Sequence, residues 1–246
     1  MATGFTPQDS FFESPYITVA EYKNAPTSID FDNLVVGGNA QAQDAELANA
    51  ILRASSFMDE YLNQNLRAST QVETQRVRIT GQGTIALHPN NNPVISLQSF
   101  EYGANPNSLV ALPDCSTAWF ESQQIIIPLA NMATTYSSQG PLAFGPYGAP
   151  RQQIYTKYQY TSGYVNNLIA TAVAAASSMT VQSAEGIVAG MKFRIYDGAN
   201  TETVTVASNY VYGSTTVPLT APLAFTHASG VAFGNLPTTI KQACIL

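Results

Sequence analysis

A chain of 246 residues and 26.3 kDa has room for one large domain or two smaller ones. It is 45% apolar, enough to fill a core, but only 11% charged, with a net charge of −6, against the ~25% charged content usual in globular proteins. Its ten basic residues are too dispersed to form the patch that duplex DNA binding requires, because that affinity comes from neutralising phosphates.

Residues 1–15 are polar and read as an arm. Their MATGFTPQDSFF start has neither a basic nor an apolar signal region, so no secretory signal is expected. Thr18 and Glu21 have capping-box spacing, which predicts a short helix from Val19 to Asn24, ended by Pro26. Residues 25–43 read as a loop with Gly37-Gly38 as its flexible point. Asp44 is a suitable N-cap for a main helix over 44–64, and Glu46 complements its dipole. Leu47, Ile51, Ala54, Met58 and Tyr61 recur at helical spacing and predict one buried face, widened by Ala48, Leu52 and Leu62.

From residue 70 the period changes to two. Val72, Thr74, Arg76, Arg78 and Thr80 alternate with Glu73, Gln75, Val77 and Ile79. With Gly81-Gln82-Gly83 as a turn and Thr84 to His88 returning, this predicts a hairpin over 70–88. Val94 to Tyr102 reads as another strand, and Trp119–Glu121 with Gln124–Ile127 as a second hairpin. Three Gly and three Pro leave no regular element in the 137–151 loop, which carries Phe144 and Tyr147. Residues 152–164 alternate again and predict a strand with outward tyrosines.

Composition changes after Tyr164. Residues 168–176 read as a small apolar linker, too short to span a bilayer. Short strands are expected at Met179–Gln182, Lys192–Tyr196, Thr203–Ala207, Thr215–Leu219 and Val231–Phe233, an all-β module. It loosely repeats itself, with Val181, Ala184, Gly190 and Phe193 matching Val217, Ala221, Gly230 and Phe233. Leu236 to Ala243 reads as a final helix with Pro237 near its start, and Ile240, Ala243 and Cys244 on one face.

No catalytic motif stands out. His88 and His227 fall in different segments and read as strand-end or turn residues, and no GxSxG elbow accompanies them. No HExxH, CxxC or paired Cys/His spacing supports zinc, and Cys115 and Cys244 read as reduced thiols. Asp30 and Asp32 lack the other ligands of a calcium loop, and Asp197-Gly198-Ala199-Asn200 reads as a plain turn. No P-loop or GxGxxG occurs. The expectation is a non-enzyme with no cofactor and no metal.

The segments ITVAEYKN (17–24), LANAILRASSFMDEYLNQ (47–64), TQVETQRVRITGQGTIALHPNNNPVISLQSFEYG (70–103), YQYTSGY (158–164) and LPTTIKQA (236–243) together resemble the head-to-tail connector (adaptor) proteins of tailed bacteriophages. The resemblance implies an α+β fold, a small helical core with a long β-hairpin and extra strands. In that family the Tyr-x-x-Gly-Tyr strand runs almost directly into the LP helix; here roughly 70 residues intervene. The implied organisation is therefore an adaptor core of 1–165 and 236–246 with an inserted small β domain at 166–235, its ends close together. Gly190, Ile195, Asp197, Gly198, Glu202, Val204 and Val206 match a β pattern of other phage connectors.

The resemblance further implies a homo-oligomeric ring of twelvefold symmetry beneath the portal protein, in the virion neck. Such a ring is assembled in the host cytoplasm and has no contact with membrane. It extends the DNA channel without sequence-specific binding and docks a stopper or tail protein. Head-to-tail contacts close into rings, and the exposed edge of the 70–88 hairpin suits pairing by a neighbour. Glu73, Arg76, Arg78, Phe144 and Tyr147 are the candidate subunit or channel contacts. The alternatives are another neck or tail protein (stopper, tail terminator, baseplate piece) or a carbohydrate-binding module with Tyr196, Tyr210 and Tyr212 stacking on sugars.

Overall fold

A computed structural model describes residues 15–25, 33–80, 84–121, 123–128 and 153–245. The chain is α+β, and its contacts separate two compact units, Met1–Arg67 with Tyr164–Leu246, and Ala68–Gly163. This division differs from the expected core plus insert. Residues 166–235 belong to one unit with both helical ends, and the strands between 68 and 163 form the other. The physical reason is strand pairing: Ser69 lies opposite Ser162, so the 68–163 segment begins and ends at neighbouring points.

Helix α1, Val19–Asn24, starts with the expected capping box. The Glu21 amide donates to Thr18 Oγ1 at 3.1 Å, and the Thr18 amide to Glu21 Oε2 at 2.8 Å. Helix α2, Ala40–Leu62, begins four residues before the expected start. Asn39 caps it by accepting from the Ala42 amide at 2.9 Å, while Asp44 pairs with Lys23 instead. Ala40–Gln43 are competent helix formers. Gln43 is buried and bonds the Val35 amide and carbonyl at 2.7 and 2.8 Å, tying the preceding loop to the helix. Asn63 ends α2 with φ of 51°, a left-handed conformation that Asn tolerates.

The buried row of α2 is Gln43, Leu47, Ile51, Ser55 and Asp59. Leu47 and Ile51 are core as expected and Met58 packs at the margin, but Tyr61 is 80% exposed. The row turns polar because Tyr16 packs there. Its amide donates to Ser55 Oγ at 3.0 Å, and its hydroxyl donates to Asp59 and accepts from the Leu66 amide at 3.0 Å. Burial raises the Asp59 carboxyl above its ordinary range, against the lowering effect of the Tyr16 and Leu66 bonds. A carboxyl raised on folding adds stability that is full below its unfolded pKa and is lost as pH rises through the folded value. Asp59→Asn keeps an acceptor without a charge and is expected to stay within about 1 kcal/mol of wild type at neutral pH, whereas Asp59→Ala strands the buried Tyr16 hydroxyl and loses about 2 kcal/mol. Urea denaturation of both variants checks this.

The second unit holds β1 (Ser69–Arg78), β2 (Thr84–Leu87), β3 (Val94–Asn105), β4 (Ser108–Ala111), β5 (Trp119–Glu121), β6 (Gln124–Pro128) and β7 (Gln153–Ser162). They form two sheets, β1-β7-β3-β4 and β2-β6-β5. Of the expected 70–88 hairpin, backbone pairing between the two arms is confined to the tip. β1 pairs along its length with β7, and β2 pairs with β6. An Ile79–Ile85 bridge, a Thr80 amide to Thr84 carbonyl bond of 2.9 Å, and side-chain bonds of Thr80 with Thr84 and of Gln75 with the His88 backbone join the two segments. Residues 81–83, read as the turn, lie outside the described residues, as do the 137–151 loop with Phe144 and Tyr147 and arm residues 1–14. The ten-residue β7 matches β1 in full and supplies Ile154, Tyr158 and Tyr160 to a core with Val77, Phe100 and Tyr102. Tyr158 and Tyr160 therefore point inward, where the sequence predicted outward tyrosines.

The first unit resumes with β8 (Asn166–Thr171), β9 (Ser178–Val181), β10 (Lys192–Tyr196), β11 (Glu202–Thr205), β12 (Thr216–Pro218) and β13 (Ala232–Gly234). They lie in the order β11-β10-β13-β8-β9-β12, and a Val206–Leu219 bridge links the ends, curling the sheet toward closure. The expected 168–176 linker is partly β8, inside this sheet, because Asn167 and Ile169 alternate inward. The loose sequence repeat has a structural counterpart. β9 pairs with β12 and β10 with β13. Gly190 and Gly230, both at positive φ, precede β10 and β13 and donate to Val206 at 3.0 Å and Ile169 at 2.8 Å. Phe193 and Phe233 meet edge to face at 5.7 Å. Helix α3, Thr238–Ala243, follows and buries Lys241; of the three residues expected on one face, Cys244 is buried at the C-cap, Ile240 is half-buried and Ala243 is exposed.

Candidate functional site

In the four-stranded sheet, alternation places Glu73 on the face opposite Arg76 and Arg78. Glu73 lies across from Tyr158 and points to the core side. It accepts from the Tyr158 hydroxyl at 2.9 Å, the Tyr160 hydroxyl at 2.5 Å and the Asn90 amide at 3.1 Å. Burial, with the Glu73 charge and hydrogen bonds, raises both phenols far above the ordinary tyrosine value. Glu73 is thus engaged within its own chain.

The other face is exposed at Thr70, Val72, Thr74, Arg76 and Arg78. Register brings β7 residues beside them: Tyr155 opposite Arg76, and Lys157 opposite Thr74 and next to Glu101 of β3. The Arg76 guanidinium lies 5.4 Å from the centre of the Tyr155 ring, a cation–π contact at an exposed site. This face therefore carries Arg76, Arg78 and Lys157 against Glu101, and β1 is the edge strand beside it. The Ala68–Gly163 unit contains four basic and four acidic residues and is neutral, so the whole net charge of −6 falls in the other unit. Lys157 and Tyr155 were not singled out from the sequence. Their alternation was legible, but not the strand they pair with.

The first unit holds two polar clusters that the sequence did not reveal. His227, fully buried, sits between two carboxylates: Nδ1 is 2.9 Å from Asp197 Oδ2 and Nε2 is 2.7 Å from Glu202 Oε1. Burial raises the Glu202 carboxyl, but the Ala224 amide, His227 and the Phe225 amide outweigh it and hold the group below its ordinary range. Lys241 and Glu21, only 7% and 10% exposed, pair at 2.6 Å, and Lys241 Nζ lies 3.8 Å from the centre of the Tyr196 ring. Burial lowers the lysine pKa against the raising effect of Glu21. Of the tyrosines considered for sugar stacking, Tyr196 is covered by Lys241 and Tyr210 is buried with its hydroxyl donating to the Ser214 carbonyl at 2.9 Å; Tyr212 is exposed.

Among the described residues, no three His, Cys, Asp or Glu side chains converge on a metal position. No described helix is long and apolar enough to cross a membrane. Comparisons with protein-family models, with curated proteins and with solved structures find no match to this chain.

Proposed function

We propose that this chain is a structural, non-catalytic subunit of the phage neck. Copies form a head-tail connector ring beneath the portal, extend the DNA channel and dock the tail or stopper. The observation that supports this reading is the cationic, edge-bounded face of β1 and β7 on a neutral unit of a chain whose net negative charge lies entirely in its other unit. Opposite charge on two parts of one chain favours a head-to-tail contact between copies, and such contacts close into rings. The open β1 edge offers a neighbour backbone donors and acceptors. Exposed Phe57 and Tyr61, at i and i+4 on α2, add apolar area for a partner.

Electron microscopy of the purified protein, alone and mixed with portal-filled heads lacking tails, tests the reading. Rings on the portal vertex are the expected result. A monomer that ignores the vertex removes the connector reading. The contact itself is tested by the double variant Arg76→Glu/Arg78→Glu, which places like charges together and is expected to raise the concentration for half-assembly by about tenfold or more. Unchanged assembly, measured by sedimentation, leaves the ring but discards this face as its contact.

A further inference from the structure

Arg67 is held by its backbone on both sides. It bridges Tyr164, whose amide donates to the Leu66 carbonyl at 2.7 Å, and its own amide donates to Asn65 Oδ1 at 2.8 Å. Its side chain lines a cavity of about 260 Å³ together with Tyr16, Glu21, Asn166, Asn167 and Gln182. That volume exceeds the ~30 Å³ share of one water several-fold. Among the described residues, the guanidinium makes no hydrogen bond and no salt bridge within 4 Å, and Glu185 is the carboxylate whose charge acts on it.

The neighbouring polar groups are already committed. Glu21 gives Oε1 to Lys241 and Oε2 to the Thr18 amide, so it is not a counter-ion for Arg67. Asn166 donates to the carbonyls of Pro15 and Tyr16, both at 3.2 Å. Asn167 donates to the Ser183 carbonyl and accepts from the Leu168 amide at 2.8 Å. What faces the cavity with unspent donors is a partly desolvated guanidinium beside the Gln182 amide. A cation taken out of water without a partner is costly, and an arginine fork matches two oxygens of one anion. Burial also lowers the pKa of Arg67, opposed by the charge of Glu185.

We propose that this cavity binds a small oxyanion, a carboxylate or phosphate group, through the Arg67 guanidinium with help from Gln182. The group is either a free ion or an acidic side chain of a second copy of the chain. The site does not depend on ring formation.

The test uses the full chain with sodium acetate, sodium phosphate and sodium chloride at equal ionic strength. Acetate or phosphate at about ten times its dissociation constant is expected to raise the unfolding midpoint of wild type by about 3 °C or more over chloride, and of Arg67→Gln by none. An equal rise in Arg67→Gln, or none in wild type, overturns the proposal. Should that variant fail to fold, the Arg67 Nε–Hε NMR signal of wild type decides: a saturable shift with acetate or phosphate supports the site, and no shift overturns it. Sedimentation separates the sources. Loss of self-association with acetate indicates a carboxylate from a second copy, and an unchanged mass with a shifted signal indicates a free ion.

Discussion

Replacing His227 by leucine is expected to cost about 3 kcal/mol at neutral pH, because it leaves the Glu202 carboxylate, 13% exposed, without its ring-nitrogen partner at 2.7 Å. The loss sits at the low end for a broken buried pair for two reasons. Glu202 keeps the Ala224 and Phe225 amides at 2.9 and 3.2 Å, and Asp197, 30% exposed, retains water. His227→Gln reaches at most one carboxylate and falls between leucine and wild type. Acid dependence gives a second readout. Glu202 is depressed in the folded chain, so its contribution is present above the ordinary carboxylate pKa and is lost as pH falls through the folded value. His227→Leu is therefore expected to flatten the acid limb of the stability profile. A wild-type-like midpoint and acid limb in urea denaturation would contradict the assigned role.

What the sequence disclosed was what lies within a few residues. The Thr18–Glu21 capping box closes over three positions, and its chemistry is complete in the chain text. Alternation in 70–80 and 152–164 likewise marked strands, and it put Glu73 opposite Arg76 and Arg78. It did not identify partners. A Gly-Gln-Gly between two alternating runs favours a hairpin locally, yet β1 chose β7, whose inward Tyr158 and Tyr160 satisfy Glu73 from more than 80 positions away. The α2 stripe failed at Tyr61 for a related reason. Periodicity assigns a side of a helix, but burial needs another element there, and near Ser55 and Asp59 that element is Tyr16.

The same limits governed the candidate site. His227 looked like a turn residue because neither Asp197 nor Glu202 is near it in sequence. Arg67 looked like one of ten dispersed basic residues. Only folding separates it, in a cavity lined by residues 15–21 and 166–182, from the exposed pair Arg76 and Arg78. The sheet face gained Lys157 and Tyr155 by register alone.

Glu73 tests whether an acidic residue in a contact-rich strand serves assembly or the fold. It is the shared acceptor for two buried phenols and a backbone amide, and no neighbouring copy is needed to satisfy it. Glu73→Ala orphans all three donors and is expected to cost about 4 kcal/mol, roughly 1–2 per stranded group with partial rescue by water. Glu73→Gln loses less, because one oxygen still accepts while its amide group meets a second hydroxyl donor. A double-mutant cycle makes the assignment specific. Tyr160→Phe alone is expected to cost about 1 kcal/mol, and in the Glu73→Ala background clearly less, since the bond to Glu73 is already gone and only the Asn91 amide's 3.2 Å bond to the hydroxyl is left to lose. The cycle is read from denaturation midpoints. Additive losses would mean that the two groups do not interact. At temperatures where Glu73→Gln remains folded, its assembly should match wild type, in contrast to the charge reversal at Arg76 and Arg78. If Glu73→Gln instead blocks assembly while keeping its stability, Glu73 belongs to the interface and the two faces of β1 have exchanged roles.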